Sequence, residues 1–294
     1  MTQTRAILCA VVAYFGWVLV DVVTKLGAQS ALSPFAMMGV FGMIGALSVT
    51  GVALGRRNVA TLRPRSPRIQ LLIALCSLVI SYANVIALKH LPLTVFYVAV
   101  FTSPLAIALL ATLLKHETLT KMKVTCLLLG ALGVGIAIAP RLQIGGEGIG
   151  YLAALISVLC FAVYTVMINK ISATDSPSSI LFLNCFLRGI VGFAVSFSEI
   201  AAADRKMLAL LVGAGLINIV MDALYNKSLY HTSSTNVAQL HYTQIIWGAV
   251  LGYVIWQDVP SWNLYAGASL IIAAGVAVAR RARKEDVLAA SVPP

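Results

Sequence analysis

The sequence predicts an all-α integral membrane protein in which ten transmembrane helices form two inverted five-helix repeats, with both termini in the cytoplasm. Three observations carry this reading. Hydrophobic residues make up 60% and charged residues 11% of the 294, against about half and a quarter in an average globular chain. Apolar runs of roughly 17 to 25 residues, long enough to cross about 30 Å of hydrocarbon, recur ten times, near 6–26, 34–55, 69–88, 93–114, 121–139, 148–169, 179–199, 207–228, 234–256 and 262–279. The third observation is internal similarity. At an offset of 141, Leu88-Lys89-His90 to Thr94 lies over Leu229-Tyr230-His231 to Thr235, Thr102 meets Thr243, and Glu117 meets Asp258. With a one-residue slip, Gly135 to Ala139 matches Gly275 to Ala279. Residues 1–141 and 142–284 are therefore the two repeats, with 285–294 a short cytoplasmic tail. Because five crossings is an odd number, the second copy enters the membrane upside down.

The net charge of +11 invites a nucleic-acid reading, but its distribution follows membrane topology. With the N-terminus inside, fifteen basic residues fall on the cytoplasmic side, five of them between Arg56 and Arg68 and four between Arg280 and Lys284. Five fall on the other side: Lys25, Lys89, Arg141, Arg205 and Lys206. That bias obeys the positive-inside rule, and nothing independent points to nucleic acid. The first apolar run contains Asp21 and lacks a persuasive cleavage site, so it reads as a first helix rather than a signal peptide. Cys9, Cys76, Cys126, Cys160 and Cys185 all sit in apolar runs without paired spacing and behave as small hydrophobes.

In the first span, Tyr14, Trp17, Asp21, Thr24 and Lys25 fall on one helical face. Asp21 and Lys25, four apart, also have the spacing of a simple ion pair with Lys25 snorkelling. The second span starts at Pro34 and carries Gly39, Gly42, Gly45, Gly51 and Gly55, small residues that let membrane helices approach closely. The third aligns Ser77, Ser81 and Asn84, with Tyr82 beside them; the fourth carries Tyr97, Thr102, Ser103 and Pro104. A proline within the membrane frees a backbone carbonyl and suits a hinge or cavity. After it, His116-Glu117 lacks the second histidine of a zinc-protease helix, because Thr120 stands there. The glycine-rich stretch from Gln143 to Gly150 lacks the strand and lysine of a phosphate loop and reads as a connector.

The sixth span carries Tyr164, and the seventh carries Arg188, the one arginine deep in a span. In the eighth, Asn218, Asp222, Tyr225 and Asn226 occupy positions i, i+4, i+7 and i+8 and so share a face. The ninth places Gln239, His241, Tyr242, Thr243 and Gln244 near its centre. Charges facing acyl chains are costly, so Asp21, Arg188 and Asp222 are expected to face the protein interior or water. Each also has a structural reading: Asp222 as an anchor to a neighbouring helix, His241 as a satisfied core residue, and Arg188 as the ion-pair partner of Asp21 or Asp222. A membrane enzyme would need a catalytic constellation and a channel a filter, and neither is apparent. Inverted repeats point instead to a secondary transporter.

Over nearly all of residues 5–280 the chain resembles the EamA-like family of the drug/metabolite transporter superfamily, bacterial inner-membrane permeases. The resemblance rests on two five-helix units, each with an acidic residue before its fifth helix: Glu117 in His116-Glu117-Thr118-Leu119-Thr120 and Asp258 in Gln257-Asp258-Val259-Pro260. Trp17 and Lys25 also fit the family's first-helix pattern, whereas Asp258 and Pro260 stand where Glu and Leu are usual. The resemblance implies alternating-access export or exchange of small polar metabolites across the inner membrane, without fixing whether these are amino acids, vitamins, nucleotide-like cofactors or drugs. No cofactor and no metal is expected.

The expected substrate site comprises Trp17, Asp21, Tyr82, Asn84, Tyr97, Tyr164, Arg188, Asp222, Tyr225, Asn226, His241 and Tyr242. An aspartate suits a substrate ammonium or a coupling proton, and the planar Arg188 fork suits a carboxylate or phosphate. An amino acid or similar zwitterion is accordingly the leading substrate class. A larger aromatic or nucleotide-like cofactor or drug is the alternative, favoured by the aromatic faces. The expected partners are a small-molecule substrate and the lipid bilayer, with proton coupling and a homodimer both compatible with the chain.

Overall fold

The structure is a computed structural model. It describes residues 2–30, 32–91, 96, 100, 102–114, 121–138, 148–256, 262, 263, 265–267, 269, 270, 273 and 277. Tyr97, the loop at 143–147 and the segments His116–Thr120 and Gln257–Pro260 lie outside the described residues.

Among the described residues, six helices are long and apolar enough to cross a membrane: α1 (Gln3–Gln29), α2 (Pro34–Gly55), α3 (Pro67–His90), α6 (Gly148–Ile171), α7 (Pro177–Ala202) and α8 (Arg205–Leu229). Shorter α4 (Ser103–Leu113) and α5 (Lys121–Ile138) stand between the two groups of three. Most expected boundaries agree to within about three residues, because the apolar runs end on strong start signals. Ser33-Pro34 and Ser176-Pro177 each place a serine cap before a proline in the first turn, with the serine oxygen accepting from Ala36 N–H (3.2 Å) and Ser179 N–H (3.1 Å). Asp204 caps α8 by accepting from Lys206 and Met207 N–H. Large apolar side chains cover the outer surface, among them Leu47, Leu109, Leu113 and Phe197. In water such a surface would drive aggregation; against lipid it is neutral.

The ninth span departs from expectation. Instead of one helix over 234–256, the chain makes a short α9 (Ser234–Gln239), a 3-10 segment (Leu240–Thr243) and then α10 (Gln244–Trp256). Polar side chains compete with the helical ladder here. Gln244 Nε2 donates to the Tyr14 carbonyl (3.1 Å), the Thr243 hydroxyl donates to the Leu240 carbonyl (2.7 Å), and His241 Nδ1 shares a 2.8 Å hydrogen bond with the Ser103 hydroxyl. A 3-10 stretch within a helix commonly marks a hinge or a functional position.

Three pairings build the bundle: α2 on α7, α1 on α8, and α3 on α6. The α2–α7 crossing is the tightest, with Gly39 and Gly42 against Gly192 and Gly189 so that backbone meets backbone.

Polar ties close both ends of this core. At the arginine-rich end, the Asp175 carboxylate in the α6–α7 connector accepts Arg65 N–H (2.9 Å), Ser66 N–H (3.0 Å), the Gln70 amide and the Thr174 hydroxyl (2.8 Å). Tyr230 OH donates to the Asp175 carbonyl (2.7 Å). At the opposite end, Ser33 N–H and hydroxyl donate to the Glu199 carboxylate, and the Ser33 and Ser196 hydroxyls meet at 3.2 Å. Backbone geometry at Ser196 is non-helical (φ −127°, ψ 23°), which kinks α7 where it meets Ser33.

Burial pushes the Asp175 carboxyl up, but hydrogen bonds from Ser66, Thr174 and Arg65 outweigh it and hold the group down from 3.8 to about 2. The depressed value means that Asp175 contributes stability above about pH 4, lost as pH falls toward 2. Asp175→Ala is therefore expected to melt below the parent at pH 7 in detergent, with the gap narrowing across that acid window. A gap independent of pH would contradict this ionised role.

Candidate functional site

Five helices aim polar stripes at one cavity of about 160 Å³. From α1 come Trp17, Asp21 and Thr24, and from α3 come Ser77, Ser81 and Asn84. Helix α6 contributes Ser157, Phe161 and Tyr164, α7 contributes Arg188, and α8 contributes Asn218 and Asp222. The first three sets stand at i, i+4, i+7 and the last pair at i, i+4, so each stripe is one face of one helix. Ser103 of α4, His241 of the 3-10 segment and Gln244 complete the polar lining.

At its centre is a buried ion pair. Arg188 Nη2 lies 3.2 Å from Asp222 Oδ2, with the two residues 7% and 8% exposed. The same carboxylate accepts Trp17 Nε1–H on Oδ1 (3.0 Å) and the Asn218 amide on Oδ2 (3.2 Å). Arg188 Nη1 donates to the Ser81 hydroxyl (3.2 Å) and Nη2 to Cys185 Sγ (3.4 Å), while its Nε–H has no hydrogen-bond partner among the described residues. Four helices thus meet on two side chains. Paired charges of this kind survive inside a membrane protein because each offsets the other's desolvation and hydrogen bonds fill most of the remaining shell.

An aromatic cluster lies against the pair. Tyr14 stacks on His241 with centroids 4.7 Å apart, Trp17 lies 4.8 Å from Tyr225, and Phe161 contacts Trp17, Tyr164, Tyr225 and His241. The cavity runs from this cluster past Asp21 and Thr24 on α1 and Asn84 and Val85 on α3, toward the end that carries Ser33 and Glu199. Toward the arginine-rich end, Tyr225 and Asn226 are fully buried.

Seven of the expected residues line this space: Trp17, Asp21, Asn84, Tyr164, Arg188, Asp222 and His241. Four others stand elsewhere. Tyr82 is 36% exposed and packs on Phe35, because its position on α3 turns it off the Ser77–Asn84 face. Tyr225 is buried behind Trp17 with its hydroxyl 2.7 Å from that of Thr165, and Asn226 lies beneath Tyr164, whose hydroxyl it accepts at 3.4 Å. The 3-10 segment turns Tyr242 away, toward the Leu127 carbonyl of α5 (3.4 Å). Phe161 and Tyr14 were not anticipated as part of the site. Phe161 completes the Ser157–Tyr164 stripe, a spacing present in the sequence; Tyr14 lies one turn from Trp17.

The model of the EamA-like transporter family matches residues 4–139 and again 148–280. The pseudopaline exporter CntI of Pseudomonas aeruginosa strain UCBPP-PA14 is 26% identical over 93% of this chain and 95% of its own length. A riboflavin transporter of Brucella anthropi is 24% identical over 66% of this chain and 70% of its own. An S-adenosylmethionine uptake transporter of Rickettsia prowazekii is 23% identical over 62% of each chain. A solved crystal structure shares the fold, with a TM-score of 0.76 over 95% of this chain and 98% of its own at 19% identity. Two successive matches to one family model, a multi-pass apolar bundle and a polar cavity within it lead to one conclusion: the chain belongs to the EamA-like transporter family and is a membrane transporter.

Proposed function

We propose that the protein is a secondary transporter of the bacterial inner membrane that moves a small zwitterion, such as an amino acid, by alternating access. Its two inverted repeats would be residues 1–141 and 142–284, with 285–294 a tail and both termini in the cytoplasm. The carrying observation is the Arg188–Asp222 pair, buried at the cavity and held by Trp17, Asn218 and Ser81. A guanidinium and a carboxylate in contact can each exchange the other for the oppositely charged group of a zwitterion. Such a substrate leaves the site's net charge unchanged and so restores what it displaces. The pairings support inversion: exchanging the repeats turns the α1–α8 contact into the α6–α3 contact and returns α2–α7 to itself. In this reading the Arg56–Arg68 end is cytoplasmic and the cavity faces outward.

A second reading, an aromatic or nucleotide-like substrate, is favoured by Trp17, Phe161 and Tyr164 on the wall and by relatives named for riboflavin and S-adenosylmethionine. The cavity volume supports the small zwitterion. About 160 Å³ falls below the roughly 300–1,000 Å³ of sites for drug-sized ligands. Export is the direction named for CntI and uptake for the Rickettsia relative, so flux is best measured both ways. Purified protein in proteoliposomes should exchange one or more radiolabelled amino acids at least tenfold above protein-free vesicles, and a pH gradient will report proton coupling. Flux of riboflavin or S-adenosylmethionine with none of any amino acid would replace this reading by the second.

A further inference from the structure

We infer that Asn184 and Asn226 form a second polar subsite on the transport path, one helical turn toward the arginine-rich end from the Arg188–Asp222 pair. The inference deepens the transport reading and rests on it. Asn184 precedes Arg188 by four residues on α7, and Asn226 follows Asp222 by four on α8. The two helices run in opposite directions through the pair, so both steps lead the same way. Beneath the charged layer there is accordingly an amide layer.

These amides are buried and incompletely bonded. Asn184 is 2% exposed, and neither its Nδ2 nor its Oδ1 has a hydrogen-bond partner among the described residues. Asn226 is 0% exposed; its Oδ1 accepts the Tyr164 hydroxyl while its Nδ2 has no partner. Buried polar groups in native proteins are nearly always satisfied, and one that is not calls for an explanation. A purely structural wall would place Leu at both positions and avoid the cost. A group left unsatisfied in one state finds its use in another, where water or substrate reaches it. Tyr164 joins the layers, since it lines the open cavity and donates to Asn226. An uncharged amide offers a carbonyl to an ammonium and N–H groups to a carboxylate. It can receive a zwitterion from the ion pair and release it without holding a net charge.

Two measurements test this. In a variant with the five native cysteines replaced, Asn184→Cys or Asn226→Cys should react with the water-soluble reagent methanethiosulfonate ethylammonium added from the arginine-rich side. The rate should rise at least tenfold when Asp175→Ala loosens that end. In the native-cysteine protein, Asn184→Leu should raise the melting temperature, because replacing a partnerless buried amide by an apolar isostere is neutral or stabilising. The same variant should lower exchange of the radiolabelled proteinogenic amino acids at least fivefold. Cysteines that stay unreactive from that side in the Asp175→Ala background overturn the proposal, as does Asn184→Leu with parental flux. If the parent itself moves no amino acid, the labelling result alone decides: reaction from that side upholds the path while the zwitterion assignment falls.

Discussion

Replacing Arg188 with alanine is expected to lower flux at least a hundredfold and to destabilise the folded protein. The change removes the Arg188 countercharge in contact with the Asp222 carboxylate, which is 8% exposed, and leaves it Trp17 and Asn218 as donors among the described residues. Breaking a buried pair by deleting one partner costs about 3–5 kcal/mol, whereas exchanging both partners for apolar residues of similar volume is often neutral. The two roles of the pair can therefore be separated. Arg188→Ala should melt well below the parent, and Asp222→Asn should do so less, because an asparagine oxygen can still accept from Trp17. The double variant Arg188→Met with Asp222→Leu should recover most of the melting temperature without recovering flux. If the double variant transports at the parental rate, the pair is structural only and the site lies elsewhere; if Arg188→Ala and Asp222→Asn both leave flux intact for every transported compound, the assignment of these residues is wrong.

That the pair exists was half legible from sequence. A charge in a span must face inward, so Arg188 and Asp222 both had to be interior, but periodicity along one helix says nothing about which neighbour it meets. Asp21 and Asp222 were equally good partners until packing set α7 beside α8. The stripes on α1, α3 and α8 were readable because polar residues contrast with an oily background at 3.6-residue spacing. Contrast fails where the functional side chain is itself apolar, which is why Phe161 went unseen. It also leaves open whether a polar residue lines the cavity or stands behind it, as Tyr225 and Asn226 do. Ninth-span polar residues were visible as a cluster, yet their consequence was not: the 3-10 segment at Leu240–Thr243 depends on Ser103 and on the Tyr14 carbonyl, both far away in sequence. The kink at Ser196 likewise stands against a residue far away in sequence, Ser33.

The glycines of the second span were legible as a packing surface without a partner, and the partner now gives the second large expectation. A Cβ added to Gly42 would stand 2.2 Å from Gly189 N and 2.7 Å from both the Arg188 carbonyl carbon and the Cys185 oxygen. One added to Gly192 would stand 2.3 Å from the Gly39 backbone. These neighbours are main-chain atoms, so no rotamer change relieves the clash, and α2 and α7 must separate. Overpacking ordinarily costs about 1–3 kcal/mol, and an unyielding backbone places Gly42→Ala at or above the top of that range. Gly42→Val is expected to yield no monodisperse protein. Because the clash falls on the carbonyl of Arg188 itself, a surviving Gly42→Ala protein should also lose flux, as the guanidinium shifts away from Asp222. Gly51 lies on the same helix with nothing within 4 Å of an added Cβ. There, alanine removes only the conformational freedom of glycine in a helix and should stabilise by roughly 0.5–1 kcal/mol. Size-exclusion profiles and melting temperatures of the two alanine variants, measured side by side, carry the test. Equal stability of Gly42→Ala and Gly51→Ala would mean that α2 and α7 do not meet backbone to backbone, and the crossing that positions Arg188 would have to be redrawn.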